Sequence, residues 1–217
     1  MRCLPGCRCT CQESLWNKKF NFPVKLKAQI LPFKAEKLTL PDALLIKPSV
    51  FEDERGHFLE TYNKRDLAQS GIQEDFVQDN QSLSAKNVLR GFHFQAPPHG
   101  QAKLVKVVSG RALDVIIDIR KGSPAFGEVF SCELNDQNMH QLYIPEGFAH
   151  AFLSLEENTI LQYKCSRFYN KESEGGIRWN DPSLAVNWAV PDPQVSAKDE
   201  ELPFFKDFKS PFHYGQH

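Results

Sequence analysis

From Leu44 onward the apolar positions fall into short runs divided by turn formers, and that spacing predicts strands rather than helices. "LLIKPSVFEDERGHFLETYN" (44–63) reads as an apolar strand, a turn at "EDERG" and the alternation "HFLETY". "FVQDNQS" reads as a strand that ends in polar residues. "KLVKVVSGRALDVIIDIR" (103–120) holds two β-rich runs on either side of Ser109–Gly110, the pattern of a hairpin. "GEVFSCELN", "HQLYIPEGFAHAFLSL" and "TILQYKCSRFY" follow at short spacing, split by Gly, Pro, Asn and Asp. Helical patterning is confined to "DLAQSG" (66–71), ended by Gly71, and to "SAKDEEL" near the C-terminus.

Many short strands without alternating helices predict an all-β chain, an antiparallel sandwich or barrel with a few short helices. Fourteen prolines and twelve glycines supply the turn density. There is no internal repeat and no low-complexity linker, so one β domain is expected over 34–205. Residues 1–33 lack the apolar periodicity that would pack on such a domain and are expected to be a disordered leader outside the fold. Residues 206–217 are expected to form a C-terminal tail.

Composition narrows the function classes. The 217 residues are 41% hydrophobic and 24% charged, the profile of a soluble globular protein. A formal net charge of -1 gives no global basic field for nucleic acid or an anionic membrane. No apolar run approaches the roughly 20 residues that span a bilayer. Four of the six cysteines crowd into "CLPGCRCTC" (Cys3, Cys7, Cys9, Cys11), while Cys132 and Cys165 lie far away. A disulfide framework spreads through the domain it staples, so this placement points to reduced thiols and a cytoplasmic protein. Thiolates at short spacing also suit zinc, although C-x3-C-x-C-x-C is not a familiar finger.

Several chemically capable side chains interrupt the apolar strands. Arg90 and His93 lie in "NVLRGFHFQ", Lys103 in "QAKLVKV", His150 in "EGFAHAF" and Tyr163 in "ILQYKC". Small barrels hold ligands at the mouth and present inward residues alternately along each strand. Arg90 and His93 differ by three, which puts them on opposite faces of a regular strand; a bulge at Gly91 would bring them to one face. Each residue has an ordinary reading as well. A strand histidine is commonly a hydrogen-bonded core group, an inward lysine commonly snorkels, and a strand tyrosine packs with its hydroxyl at the rim.

"PEGFAH" (145–150) has the spacing P-x-G-x-x-H of the second cupin half-motif. The first half-motif of a metal-binding cupin carries H-x-H and a downstream Glu. Here that region offers only His93, followed by Phe94 and Gln95, and two histidines without suitably spaced carboxylates do not make a firm metal site.

Taken together, "FEDERGHFLETYN", "FVQDNQS", "NVLRGFHFQ", "QAKLVKVVSGRALDVIIDIRKGSPAFG", "LYIPEGFAHAF", "YKCSRFYNKESEGGIRWNDP" and "VSAKDEE" resemble the dTDP-4-dehydrorhamnose 3,5-epimerases, a metal-free cupin family. The resemblance runs in order over roughly 34–205. It implies a cupin-type antiparallel β-barrel (jelly roll), no cofactor and no metal. It implies a dTDP-4-keto-6-deoxy sugar nucleotide as substrate, and a homodimer whose N-terminal strands cross to the partner. Residue by residue, it implies His93 as the base, Asp199 as the carboxylate that orients it, Tyr163 as the acid on the opposite face of the sugar, and Lys103 as the cation near the ketone. Arg55, Glu60, Gln78, Asp79, Asn80, Arg90, His150, Glu174 and Lys198 match substrate-contact positions.

The implied reaction explains these residue types. A hydrogen beside a ketone is weakly acidic, so its removal needs a base and stabilisation of the enolate oxygen. An imidazole titrates near neutrality, and a carboxylate behind it fixes its tautomer. Inversion needs a proton delivered to the other face. An arginine fork near a diphosphate fits "RGFHFQ". An epimerase acting at one carbon, or a keto-isomerase, shares this base-and-enolate logic. A non-catalytic sugar-nucleotide-binding cupin is the alternative outside enzymology.

Overall fold

The structure is a computed structural model and describes residues 32–215. The expected leader, with its four cysteines, lies outside the described residues apart from Pro32 and Phe33. Phe33 opens the first strand and is buried.

Thirteen strands are described: β1 (Phe33–Lys37), β2 (Leu44–Pro48), β3 (Val50–Asp53), β4 (Gly56–Leu59), β5 (Gln78–Ser84), β6 (Leu89–Gln95), β7 (Lys103–Ser109), β8 (Arg111–Asp118), β9 (Val129–Asn135), β10 (Gln141–Ile144), β11 (Phe148–Ser154), β12 (Thr159–Cys165) and β13 (Glu174–Gly176). They form a six-stranded sheet in the order β1-β2-β10-β7-β12-β5, a five-stranded sheet in the order β13-β6-β11-β8-β9, and a separate β3-β4 hairpin. All of the pairings between these strands are antiparallel. The all-β expectation therefore holds. Among the described residues helix is confined to α1 (Lys64–Gln69), α2 (Ala197–Glu200) and two short 3-10 turns. No helix among the described residues is long and apolar enough to cross a membrane.

One expected element differs. The runs around Ser109–Gly110 are not a hairpin: β7 belongs to the six-stranded sheet and β8 to the five-stranded sheet. Gly110 makes a corner between the sheets, at φ +80°, where a Cβ would lie 2.8 Å from Thr159 Oγ1. A tight turn between two β-rich runs serves a corner as well as a hairpin, and local sequence does not separate them.

Three apolar clusters fix the layers. The first lies between the sheets and joins Val105, Leu142 and Leu161 to Ile116, Leu134 and Phe152. The second covers the outer face of the five-stranded sheet, where Phe92, Ile117 and Leu153 meet Ile177, Leu184, Trp188 and Phe212. The third packs Leu67 of α1 and Ile72 against Ile46, Leu104 and Tyr143 on the outer face of the other sheet. With both faces covered, β11 is buried at every position, His150 and Ser154 included, and shows no alternation of apolar and polar residues. Packing also continues past residue 205. Phe208 and Phe212 join the second cluster, and Lys121 bridges to His213.

Helix α1 begins two residues before the expected "DLAQSG". Asn63 caps it by accepting from the Asp66 N–H, and it ends at Gln69 with Gly71 following at φ +96°. Helix α2 is a single turn, capped by the Ser196 side chain accepting from the Asp199 N–H.

Candidate active site

The bulge anticipated at Gly91 is present. In the β6–β11 ladder His93 pairs with His150 and Arg90 with Phe152, so three steps on β6 oppose two on β11. Gly91 sits at φ +124°, and a Cβ there would meet the Ala151 Cβ at 2.5 Å. The extra residue brings Arg90 and His93 to one face, toward the space between the sheets.

There they border a cavity of about 550 Å³. The five-stranded sheet supplies Arg90, His93 and His150, the six-stranded sheet Ser82, Lys103 and Tyr163, and the segment around α2 Lys198 and Asp199. His93 Nε2 lies 2.7 Å from Asp199 Oδ1, and Asp199 Oδ2 accepts the Gly91 N–H at 3.2 Å. Burial alone raises the Asp199 carboxyl; the hydrogen bond and charge of His93, helped by the Gly91 N–H, outweigh it and hold the group below its ordinary value. With Asp199 ionised, Nε2 carries the proton and donates. The Nδ1 lone pair is then free to accept one.

His150 stands beside His93 in register and makes a second carboxylate pair. Its Nε2 lies 3.0 and 2.9 Å from the two oxygens of the fully buried Asp114. Asp114 was not anticipated, although a carboxylate inside the apolar run "RALDVIID" was visible. On the opposite sheet, burial pushes the Lys103 ammonium below its usual value, against the pull of Cys165, Asp114 and Glu174. Its Nζ lies 5.9 Å from the Tyr163 ring centroid. Burial, then Cys165, raises the Tyr163 hydroxyl, and Arg90 acts the other way.

The remaining expected residues divide. Lys198 pairs with Glu174 at 2.6 Å, which brings Glu174 to the rim. Gln78 and Asn80 lie on the Ser82 face of β5 without lining the cavity themselves; they are bonded to each other at 3.1 Å, and Asn80 contacts the Cys165 sulfur at 3.5 Å. Asp79, between them, faces the other side of β5, pairs with Lys164 at 2.9 Å and does not border the cavity. Alternation along the strand is the reason. Arg55 and Glu60 do not border it within this chain either. Arg55 is exposed on the β3-β4 turn and pairs with Asp53, and Glu60 Oε1 is buried without a hydrogen-bond partner among the described residues. Among the described residues no group of three or more His, Cys, Asp or Glu is arranged to hold a metal ion.

The family model described as dTDP-4-dehydrorhamnose 3,5-epimerase matches residues 37–207. The chain belongs to this family. It is 46% identical over 164 residues to the dTDP-4-dehydrorhamnose 3,5-epimerase of Shigella flexneri, covering 75% of this chain and 91% of that one. It resembles the Legionella pneumophila dTDP-6-deoxy-D-glucose-3,5-epimerase, solved in complex with dTDP-4-keto-L-rhamnose, with TM-score 0.79 and 38% identity over 83% of this chain and 98% of that one. A 3'-monoepimerase from Streptomyces bikiniensis, solved with dTDP-quinovose, matches with TM-score 0.73 and 32% identity over 78% of this chain and 86% of that one. The identity is thus higher to the named 3,5-epimerases of this family than to the single-carbon enzyme. The cavity described above lies within the matched residues.

Proposed function

We propose that this protein epimerises carbons 3 and 5 of dTDP-4-dehydro-6-deoxy-D-glucose, giving dTDP-4-dehydro-L-rhamnose for dTDP-L-rhamnose synthesis. The observation that carries the reading is that His93 and Tyr163 stand on facing sheets across one cavity. A sugar held between them has a base on one side and a proton donor on the other. In each step His93 Nδ1 takes the proton beside the 4-ketone, and the bonding electrons move onto the ketone oxygen. Lys103, with His150, stabilises that enolate, the kind of preorganised charge that carries most of such a barrier reduction. Tyr163 delivers a proton to the opposite face, and the ketone re-forms with inverted configuration. Arg90, Glu174 and Lys198 bind the nucleotide sugar at the rim, with Gln78 and Asn80 beside them.

In this reading the chemistry needs no resident metal or cofactor. The test is incubation with the 4-keto-6-deoxy substrate in heavy water, before and after exhaustive chelation. Deuterium at both carbons in an inverted product, unchanged by chelation, is expected. Label at one carbon only makes it a monoepimerase, and loss on chelation restored by metal overturns the metal-free part.

The working unit in this reading is a cytoplasmic homodimer. Cys132 and Cys165 are free thiols, which suits a reducing compartment. Among the described residues the β3-β4 hairpin pairs with no other strand, and Phe51 and Phe58, opposite each other on it, are 52% and 70% exposed. Docked on a second copy, it would bury these rings and bring Arg55 and Glu60 to the partner's cavity. Light scattering that finds an active monomer at micromolar concentration removes this part.

A further inference from the structure

The loop Phe168–Asn170 connects to the cavity through Glu174 and Lys198 and has little apolar burial to hold it. Phe168 is 70% exposed and Tyr169 55% exposed. Its three consecutive backbone groups are instead gripped by two glutamine side chains, one from each sheet. Gln95, at the end of β6, donates through Nε2 to the Phe168 carbonyl at 3.4 Å, and its Oε1 accepts from the Asn170 N–H at 2.6 Å. Gln78, at the start of β5, accepts from the Tyr169 N–H at 2.9 Å. The other Nε2 bond of Gln95 goes to the His99 carbonyl at 2.9 Å. Gln95 itself is 5% exposed, so its amide is committed to these partners.

The clamp leads to the site by a short path. Tyr169 donates through its hydroxyl to Glu174 Oε2 at 3.1 Å, and Glu174 Oε1 holds Lys198 at 2.6 Å. Lys198 borders the cavity next to Asp199. Glu174 is also the register partner of Gln95. One amide thus fixes both the strand behind Glu174 and the loop whose tyrosine holds it.

We propose that Gln95 is a positioning residue for substrate binding: it sets the Phe168–Asn170 loop so that Tyr169 and Glu174 hold Lys198 at the cavity rim. The inference rests on the epimerase reading above. It places Gln95 apart from proton transfer, since its side-chain hydrogen bonds go to the His99 and Phe168 carbonyls and the Asn170 N–H and to none of His93, Asp199, Lys103 or Tyr163. The consequence is a split between KM and kcat. Gln95→Met keeps the length and removes both donor and acceptor. KM for the 4-keto-6-deoxy sugar nucleotide is expected to rise roughly tenfold, the scale of one or two lost neutral hydrogen bonds, with kcat within about threefold of wild type. Gln95→Glu keeps an acceptor for the Asn170 N–H and loses the amide donors, so its KM is expected to lie between the two.

Tyr169→Phe supplies the coupling. If Gln95 acts through Tyr169, the Gln95→Met/Tyr169→Phe double variant binds little worse than the poorer single variant. Wild-type turnover measured alongside tests the epimerase reading, and the variants then test Gln95 alone. A Gln95→Met enzyme with unchanged KM, or with loss confined to kcat and melting temperature, overturns the proposal. So does strict additivity with Tyr169→Phe.

Discussion

Two histidine–carboxylate pairs stand side by side in this fold, built from the same groups and set in different surroundings. His93 and His150 are register partners on β6 and β11, and each presents Nε2 to an aspartate. The His93 side chain is 33% exposed and faces the open cavity, and its partner Asp199 comes from a single helical turn far along the chain. The His150 side chain is 8% exposed, and Asp114 sits on the neighbouring strand β8 with none of its surface exposed. A base needs room to receive a proton and a partner that steadies the charge it acquires. An enolate-stabilising donor needs a fixed position and little water. In the epimerase reading exposure, not residue type, separates the two proposed roles.

The largest effects test that division directly. His93→Asn is expected to abolish deuterium exchange at both reacting carbons, because no proton leaves the sugar. Tyr163→Phe removes only a hydroxyl from the facing sheet. Exchange on the His93 side is expected to persist while inverted product falls by roughly 10²–10⁴-fold, the contribution of a positioned acid. Proton NMR in heavy water reads both. Wild-type exchange in His93→Asn would remove the base from the open pair and end the comparison.

The carboxylates sharpen it. Asp199→Asn leaves the base in place but favours the wrong tautomer, so the rate is expected to fall between those of the two variants above. Asp114→Asn places an amide at a fully buried site. Its main expected cost is stability, roughly 1–3 kcal/mol, with a smaller rate loss. Calorimetry beside kinetics separates the two, and a rate loss in Asp114→Asn as deep as in Asp199→Asn, at unchanged melting temperature, would make the pairs equivalent. The sign with pH follows from the lowered Asp199 carboxyl. Its contribution is present above the ordinary value of 3.8 and is lost as pH falls through the folded value below that.

How much of this was legible beforehand depends on where each residue's neighbours came from. The strands were legible because alternation and turn formers are local, and the Gly91 bulge because Arg90 and His93 are only three apart. The sheet assignment of β7 and β8 was not, since it depends on partners tens of residues away. "ALDVIIDIR" is the clearest limit. Asp114 and Asp118 look alike in it, yet Asp118 closes a pair with Arg120 at 2.7 Å while Asp114 serves His150. Arg120 stands two residues after Asp118, so that pair is visible in the stretch itself, whereas the pairing of Asp114 with His150 depends on β11 lying beside β8. The roles of His93, Asp199 and Tyr163 came from the family resemblance. Asp199 shows no strand or spacing relation to His93, because a one-turn helix brings it back.

A moderate effect is expected at alkaline pH, on the sheet that faces both pairs. Burial lowers the Lys103 ammonium from its ordinary 10.5, so its charged form is lost at a lower pH than for a free lysine. The alkaline limb of kcat is expected below that value. Tyr163 is pushed upward by burial, so this limb is assigned to Lys103, and it should remain in the residual activity of Tyr163→Phe. A limb that disappears in that variant would reassign it to the tyrosine.

The smallest effect carries the comparison to its exposed end. Carboxylate exposure runs from 0% at Asp114, through 5% at Asp199, to 71% at Asp79, which pairs with Lys164. Family resemblance groups Asp79 with Gln78 and Asn80 as a substrate contact, whereas strand alternation turns it away from the cavity that Tyr163 and Ser82 border. An exposed pair of this kind is worth about 0–1 kcal/mol. Asp79→Asn removes no group that borders the cavity, so it is expected to change KM by less than about twofold, under roughly 0.4 kcal/mol of binding. Asn80→Ala, on the inward face beside Cys165, is expected to raise KM more. Steady-state kinetics on the two variants decides between alternation and resemblance. An Asp79→Asn enzyme whose KM rises as far as that of Asn80→Ala would mean that the outer face of β5 also meets substrate, and exposure in the single chain would no longer sort the carboxylates by role.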